Sequence, residues 1–125
     1  MCGIVGFIDN KITYDFKAVG LKMSNALHSR GPDSKGAWHD EALGVSLMHS
    51  RLAVLDLSPA GCQPMLSSDG RYVIVFNGEI YNFEQICKDI EMKFGSVDWR
   101  GHSDTEIILM AVIVYGVEGT LSLLE

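Results

Sequence analysis

The stretch SDTEIILMAVIVYGV (Ser103 to Val117) sets the tightest limit on how this chain can fold. Ser103 and Glu106 stand in the S-x-x-E order of a helix capping box, so a helix is expected to start here. From Ile107 to Tyr115 that helix is apolar around much of its circumference, and it has to be covered on several sides. The apolar run is too short for a bilayer, which needs ~20 residues. The chain must therefore supply layers that bury a helix.

Material for those layers is present. GIVGFID (residues 3–9) reads as a short strand whose two glycines allow close backbone approach. ALGVSLM alternates Leu43, Val45 and Leu47 with small residues, and RLAVLDL continues in the same style. RYVIVF is a nearly continuous β-branched and aromatic run, expected as a strand buried on both faces. Phe16, Val19, Met23 and Leu27 recur at helical spacing over 16–27, with the Gly-Pro of HSRGPD as the stop. Asn82 and Gln85 bracket another helix start, ahead of Phe83, Ile86, Cys87 and Ile90 on one face. SPAGCQP is loop chemistry. Five strands with interspersed helices give an α+β or layered sandwich fold, with no internal repeat.

At 125 residues and 47% hydrophobic content the chain suits one domain with a modest core. A net charge of −6 argues against nucleic acid as a partner, and no basic cluster points to a membrane surface. Three widely spaced cysteines, Cys2, Cys62 and Cys87, fit free thiols in a reducing compartment rather than disulfides or a metal site. No signal peptide is apparent, since Asp9 interrupts the first apolar stretch. A cytoplasmic location is the default. Cys62 and Cys87 read as structural. The chain stops at SLLE without a turn or polar tail, which suggests part of a longer protein.

Polar stretches carry the chemistry. Asn77 and Gly78 follow a strand, where an amide side chain and a backbone N–H can face one small volume as an oxyanion hole. Gly78 permits close approach to the backbone. Arg51 offers a planar fork for a carboxylate, and Asp104 an anion for an ammonium group. A ligand with both groups is a free α-amino acid. Cys2 supplies a nucleophile. Once Met1 is removed its own α-amine, with a reference pKa of about 7.7–8.0, can take and return the thiol proton. No histidine is required, and His28, His39, His49 and His102 each read as loop or capping residues.

In register along the whole chain, MCGIVGF, HSRGPDSKG, HSRLAVLDLSPAGCQPM, FNGEIYNF and GHSDTEIIL make the sequence similar to the N-terminal glutaminase domain of glutamine-hydrolysing asparagine synthetases. These are class II glutamine amidotransferases of the N-terminal-nucleophile hydrolase superfamily. The resemblance implies a four-layer αββα sandwich, incomplete at its C-terminus, with residues 1–125 as the first part of the glutaminase domain and the synthetase domain absent. It implies Cys2 as the nucleophile that forms a γ-glutamyl thioester, with Asn77 and Gly78 as the oxyanion hole. Arg51 would hold the glutamine α-carboxylate, Val54 and Leu55 would line the site through their backbone, and Glu79 and Asp104 would surround the α-ammonium. Arg30 and Asp33 would brace the loops near the nucleophile. No metal or cofactor is implied for these residues; ATP and Mg belong to the absent synthetase domain, where released ammonia would convert aspartate to asparagine.

Two alternatives share these residues. The acceptor could be a sugar or another small metabolite, because this segment sees only glutamine. Alternatively, the 125 residues could be an inactive interaction fragment or homodimerisation module, with uncovered strands and an apolar helix seeking a partner.

Overall fold

The first apolar run becomes a strand because a better-buried strand lies beside it. In the computed structural model, which describes residues 2–52 and 59–125, β1 (Gly3–Ile8) pairs antiparallel with β3 (Val45–Arg51), Gly3 opposite Ser50 and Ile8 opposite Val45. The other edge of β3 pairs antiparallel with β2 (Ser34–Asp40), Ser34 opposite Arg51 and Gly36 opposite His49. The sheet order is β1-β3-β2. Central β3 is accordingly the most buried of the three, with Ser46 and Met48 through Arg51 all inside.

Helix α1 (Phe16–Ala26) covers one face of this sheet. Asp15 caps it, its carboxylate accepting the Ala18 N–H at 3.0 Å. Phe16 stacks on Phe7 of β1 with ring centroids 5.2 Å apart. Phe16, Gly20 and Ser24 form the buried stripe, so the inward face is narrower and smaller than the Phe16-Val19-Met23-Leu27 pattern suggests. Gly20 is the close-approach point: a Cβ there would sit 3.0 Å from Met48 Sδ. On this face His39 Nδ1 meets Ser46 Oγ at 2.8 Å.

These elements, with residues 62–64 and 75–77, form one compact unit; residues 59–61, 65–74 and 78–125 form a second. In the second, β4 (Met65–Leu66) and β5 (Val73–Ile74) make a two-stranded antiparallel sheet. Its turn is organised by Asp69, which accepts from the Ser67 hydroxyl at 2.7 Å, the Arg71 N–H at 3.1 Å and Arg71 Nε at 2.6 Å. Those donors, the Ser67 hydroxyl first, pull its carboxyl down to about 2.

Helix α2 (Phe83–Phe94) packs on α3 (Asp104–Leu121), with Phe94 edge-on to Tyr115 at 6.4 Å. Ile86 and Ile90 of α2 are buried. In α3 the sides of Ile107, Ile108, Leu109 and Ala111 are buried, as the apolar run requires. Gly116, at φ 74°, kinks the helix, a conformation that side chains resist. Thr120 Oγ1 donates to the freed Gly116 carbonyl at 2.8 Å.

Mixed helices and antiparallel sheets make the fold α+β. Several elements differ from their sequence signals. β2 carries almost no strand signal. RYVIVF contributes only the two-residue, half-buried β5 rather than a strand buried on both faces. Residues 53–57 of the RLAVLDL stretch lie outside the described residues. Asn82 makes no side-chain cap; its amide instead donates to the Leu123 carbonyl at 2.7 Å and accepts the Glu125 N–H at 3.2 Å.

Candidate active site

Pairing and pleat fix which side chains share a surface. Residues opposite each other point to the same face, and neighbours alternate. Gly3, Phe7 and Met48 face α1. The opposite face therefore carries Ile4, Gly36, His49 and Arg51, with Cys2 one step beyond the Gly3–Ser50 pair. Cys2 and Arg51 leave neighbouring strands at the same end of that face.

The contacts agree with this placement. Cys2 Sγ accepts the Leu52 N–H at 3.3 Å and lies 3.5 Å from the Leu52 carbonyl, where the thiol donates. The sulfur is thus tied to the residue after Arg51. Arg51 is only 9% exposed, and its Nη1 reaches Cys62 Sγ at 3.6 Å. A guanidinium already stripped of most of its water is a strong partner for a carboxylate. The HSRGPD loop packs against the same strand end: the Asp33 N–H donates to the Arg51 carbonyl at 3.0 Å. A Cβ at Gly31 would run into the Ser50 carbonyl. Arg30 and Asp33 are exposed.

Two residues on this face gave little warning in the sequence. His49 is no loop or capping residue: it lies in β3 and is 2% exposed. Burial first, then the nearby Arg51 charge, push its imidazole below the ordinary value, against a hydrogen bond with the Phe76 backbone that favours the charged form. Its Nε2 has no hydrogen-bond partner among the described residues. His39 likewise lies in a strand, β2, rather than a loop. Gln63, from the loop-like SPAGCQP, is 8% exposed, and its Oε1 accepts the Phe76 N–H at 2.6 Å. Asn77 follows directly and is exposed.

Gly78, Glu79 and Asp104 belong to the second unit. There the Asp104 carboxylate, at the first position of α3, accepts the Ile80 N–H at 3.1 Å. This joins the segment bearing Gly78 and Glu79 to the helix start. Ser103 caps α3 by accepting the Thr105 N–H at 3.2 Å. Glu106 does not close the capping box. Buried at 7% exposure, it accepts the Arg100 N–H at 3.0 Å, Arg100 Nε at 3.1 Å and the Gly101 N–H at 3.0 Å. It folds the GHSD loop onto the helix and so presents Asp104. The signal was a carboxylate two residues past Asp104, and the cap pattern masked its other use.

Val54 and Leu55 lie outside the described residues, as does Met1. Cys87 is half-buried on α2, and burial, followed by the Glu91 charge, raises its thiol above the ordinary value. No group of three or more His, Cys, Asp or Glu among the described residues converges as a metal site. No helix among them is long and apolar enough to cross a membrane. A cavity of about 370 Å³ in the second unit, lined by Ser67, Trp99, Arg100 and Glu106 among others, contains none of the anticipated site residues.

Over most of its length the chain is similar to glutamine-hydrolysing asparagine synthetases and to an amidase. Asparagine synthetase [glutamine-hydrolyzing] 1 of Bacillus subtilis is 35% identical over 98% of this chain and 19% of its own length. Asparagine synthetase B [glutamine-hydrolyzing] of Escherichia coli is 32% identical over 87% of this chain and 19% of its own. Amidase chry2 of Gibberella zeae is 35% identical over 94% of this chain and 18% of its own. The chain thus spans about a fifth of the length of the curated relatives it matches. The family described as the glutamine amidotransferase domain matches residues 1–125, and the chain belongs to that family.

Proposed function

We propose that this chain hydrolyses the side-chain amide of glutamine to glutamate and ammonia, through a thioester on Cys2. The observation that carries this reading is that Cys2 and Arg51 leave one sheet face at the same end, in a chain matched throughout by the amidotransferase family. Arg51 takes the α-carboxylate of glutamine; Glu79 and Asp104 surround its α-ammonium; Val54 and Leu55 contribute backbone groups. The amide carbon then meets the Cys2 sulfur. As the C–S bond forms, the carbonyl π pair moves onto oxygen, where the Asn77 amide and the Gly78 N–H stabilise it. The thiol proton passes to the Cys2 α-amine and from there to the departing ammonia, as the C–N bond breaks. Water then attacks the thioester, giving glutamate and restoring the thiol. This route requires removal of Met1, since an amide nitrogen is no base.

In the full sandwich implied by the family, a second sheet would cover the face that carries Cys2. The ammonia would serve an ATP- and Mg-dependent synthetase domain outside this chain, with aspartate as the acceptor, as the names of the two synthetases suggest.

Glutamine turnover by the purified protein tests the chemistry. Cys2→Ala should abolish it, and Asn77→Ala should lower kcat by about 10²–10³, the usual loss of one oxyanion donor. Activity retained in Cys2→Ala ends the thioester mechanism, and an Asn77→Ala loss under about tenfold ends the donor assignment. Intact mass that shows Met1 retained in an active protein ends the amine's role as base.

A further inference from the structure

Among the described residues, Asn77 sits on a stretch of backbone that no strand holds. β5 ends at Ile74 and α2 begins at Phe83, so the peptide groups of Phe76 have no ladder partners there. A buried side chain holds the Phe76 N–H instead: Gln63 Oε1 accepts it at 2.6 Å, with the buried His49 imidazole nearby. The two come from different places, His49 from central β3 and Gln63 from the segment against which Gly36 packs. A Cβ at Gly36 would strike the Gln63 carbonyl, so the small residue lets the Gln63 segment lie close on the sheet. Cys2, Arg51, His49, Gln63, Phe76 and Asn77 all belong to the first unit.

We propose that Gln63 is a positioning residue that clamps the Phe76 peptide and so fixes where Asn77 points relative to Cys2. This rests on the glutaminase reading above. An oxyanion donor helps only if it is aimed beforehand at the developing charge. A misplacement of ~1 Å can cost about 10²-fold in rate. Asn77 is itself exposed, so packing does little to aim it, and the preceding peptide is the nearest rigid point. A buried amide at that peptide serves the purpose without touching substrate.

The test measures kcat and KM for glutamine hydrolysis, hydrogen exchange at the Phe76 amide, and the rate at which iodoacetamide alkylates Cys2, followed by mass spectrometry of the N-terminal peptide. Gln63→Leu should speed exchange at Phe76 and lower kcat by about 10–100-fold, the scale of lost supporting contacts in a site. KM should stay within about threefold, because Arg51 and Asp104 are untouched, and Cys2 should alkylate at the parental rate. Gln63→Glu, which keeps an acceptor oxygen, should recover most of the loss. If Gln63→Leu does not fold, Gln63→Asn removes the reach but keeps the amide, and should show the same pattern. Unchanged kcat in Gln63→Leu or Gln63→Asn overturns the clamp, even with faster exchange at Phe76, and leaves the glutaminase reading standing. Parallel loss of kcat, substrate affinity and Cys2 alkylation also overturns it, since that is general collapse. Full activity in Cys2→Ala instead removes the reading on which the clamp rests.

Discussion

Single residues decide how this corner of the sheet responds to pH, and His49 is the clearest case. Its imidazole is held below the ordinary value by burial and by the Arg51 charge, so the folded protein binds its proton less readily than the unfolded chain does. Stability tied to neutral His49 is then complete above the unfolded value of about 6.5. It is lost as pH falls below that, because the unfolded state takes up the proton first. His49→Gln should flatten the fall in urea midpoint between about pH 6.5 and pH 5, and a slope equal to the parent's would show that other groups carry it. Asp69 behaves differently. With its carboxyl at about 2, the Ser67–Tyr72 turn keeps its bonds through that window, and its contribution is lost only as pH falls from the ordinary carboxylate range through about 2. In sequence, Cys2 and Arg51 were legible because their chemistry is distinctive and the strand pattern put both at chain positions near a strand end. Gln63 and His49 were not, since an amide in a proline-rich loop and a scattered histidine look alike whether they face water or a peptide group.

Elements position the remaining chemistry, and the start of α3 shows how. Glu106 is buried while its partner Arg100 is half-exposed, so its worth lies in the backbone N–H groups of Arg100 and Gly101 more than in the ion pair. Glu106→Ala strands those donors and should cost about 2–3 kcal/mol, the range for bonds to a charged acceptor. The urea midpoint should drop with an unchanged slope, and a loss under about 0.5 kcal/mol would mean that water replaces the carboxylate. Glutamine KM should also rise, because Asp104 loses the loop that presents it. α1 and α3 were readable because caps and apolar spacing are local signals. β1 was readable for a similar reason. β2, SKGAWHD, was not: it becomes a strand because β3 offers a free edge, with one face against α1, and no local preference reports that. The RYVIVF run failed in the other direction. Its apolar density suggested a long buried strand, but among the described residues β4 supplies only two partners, and the Phe76 N–H beyond β5 is held by the Gln63 side chain. Tertiary pairing, not propensity, sets strand length here.

At the scale of the molecule, the proposed function puts the glutamine chemistry and the acceptor chemistry on different stretches of chain. Everything assigned to glutamine lies within 125 residues, which correspond to about a fifth of each relative's length. On the surface opposite α1, Ile4 is 44% and Ile8 70% exposed, so the face that carries Cys2 ends in uncovered apolar side chains. Such a face suits burial against further protein. If the two half-reactions are joined only by ammonia, removing the nucleophile should disconnect them without damaging the second. In the protein that carries this chain, Cys2→Ala should lose glutamine-dependent amide synthesis by a factor of at least about 10³, since the residual path has no covalent route. Synthesis from added ammonium salt should stay within about twofold, because Cys2 touches neither acceptor nor nucleotide. Product analysis by mass spectrometry in the same assay would identify the acceptor, with asparagine expected from aspartate. An equal loss with glutamine and with ammonium would mean that Cys2 supports the second half-reaction as well. The division of labour between this chain and the rest of the protein would then have to be drawn elsewhere.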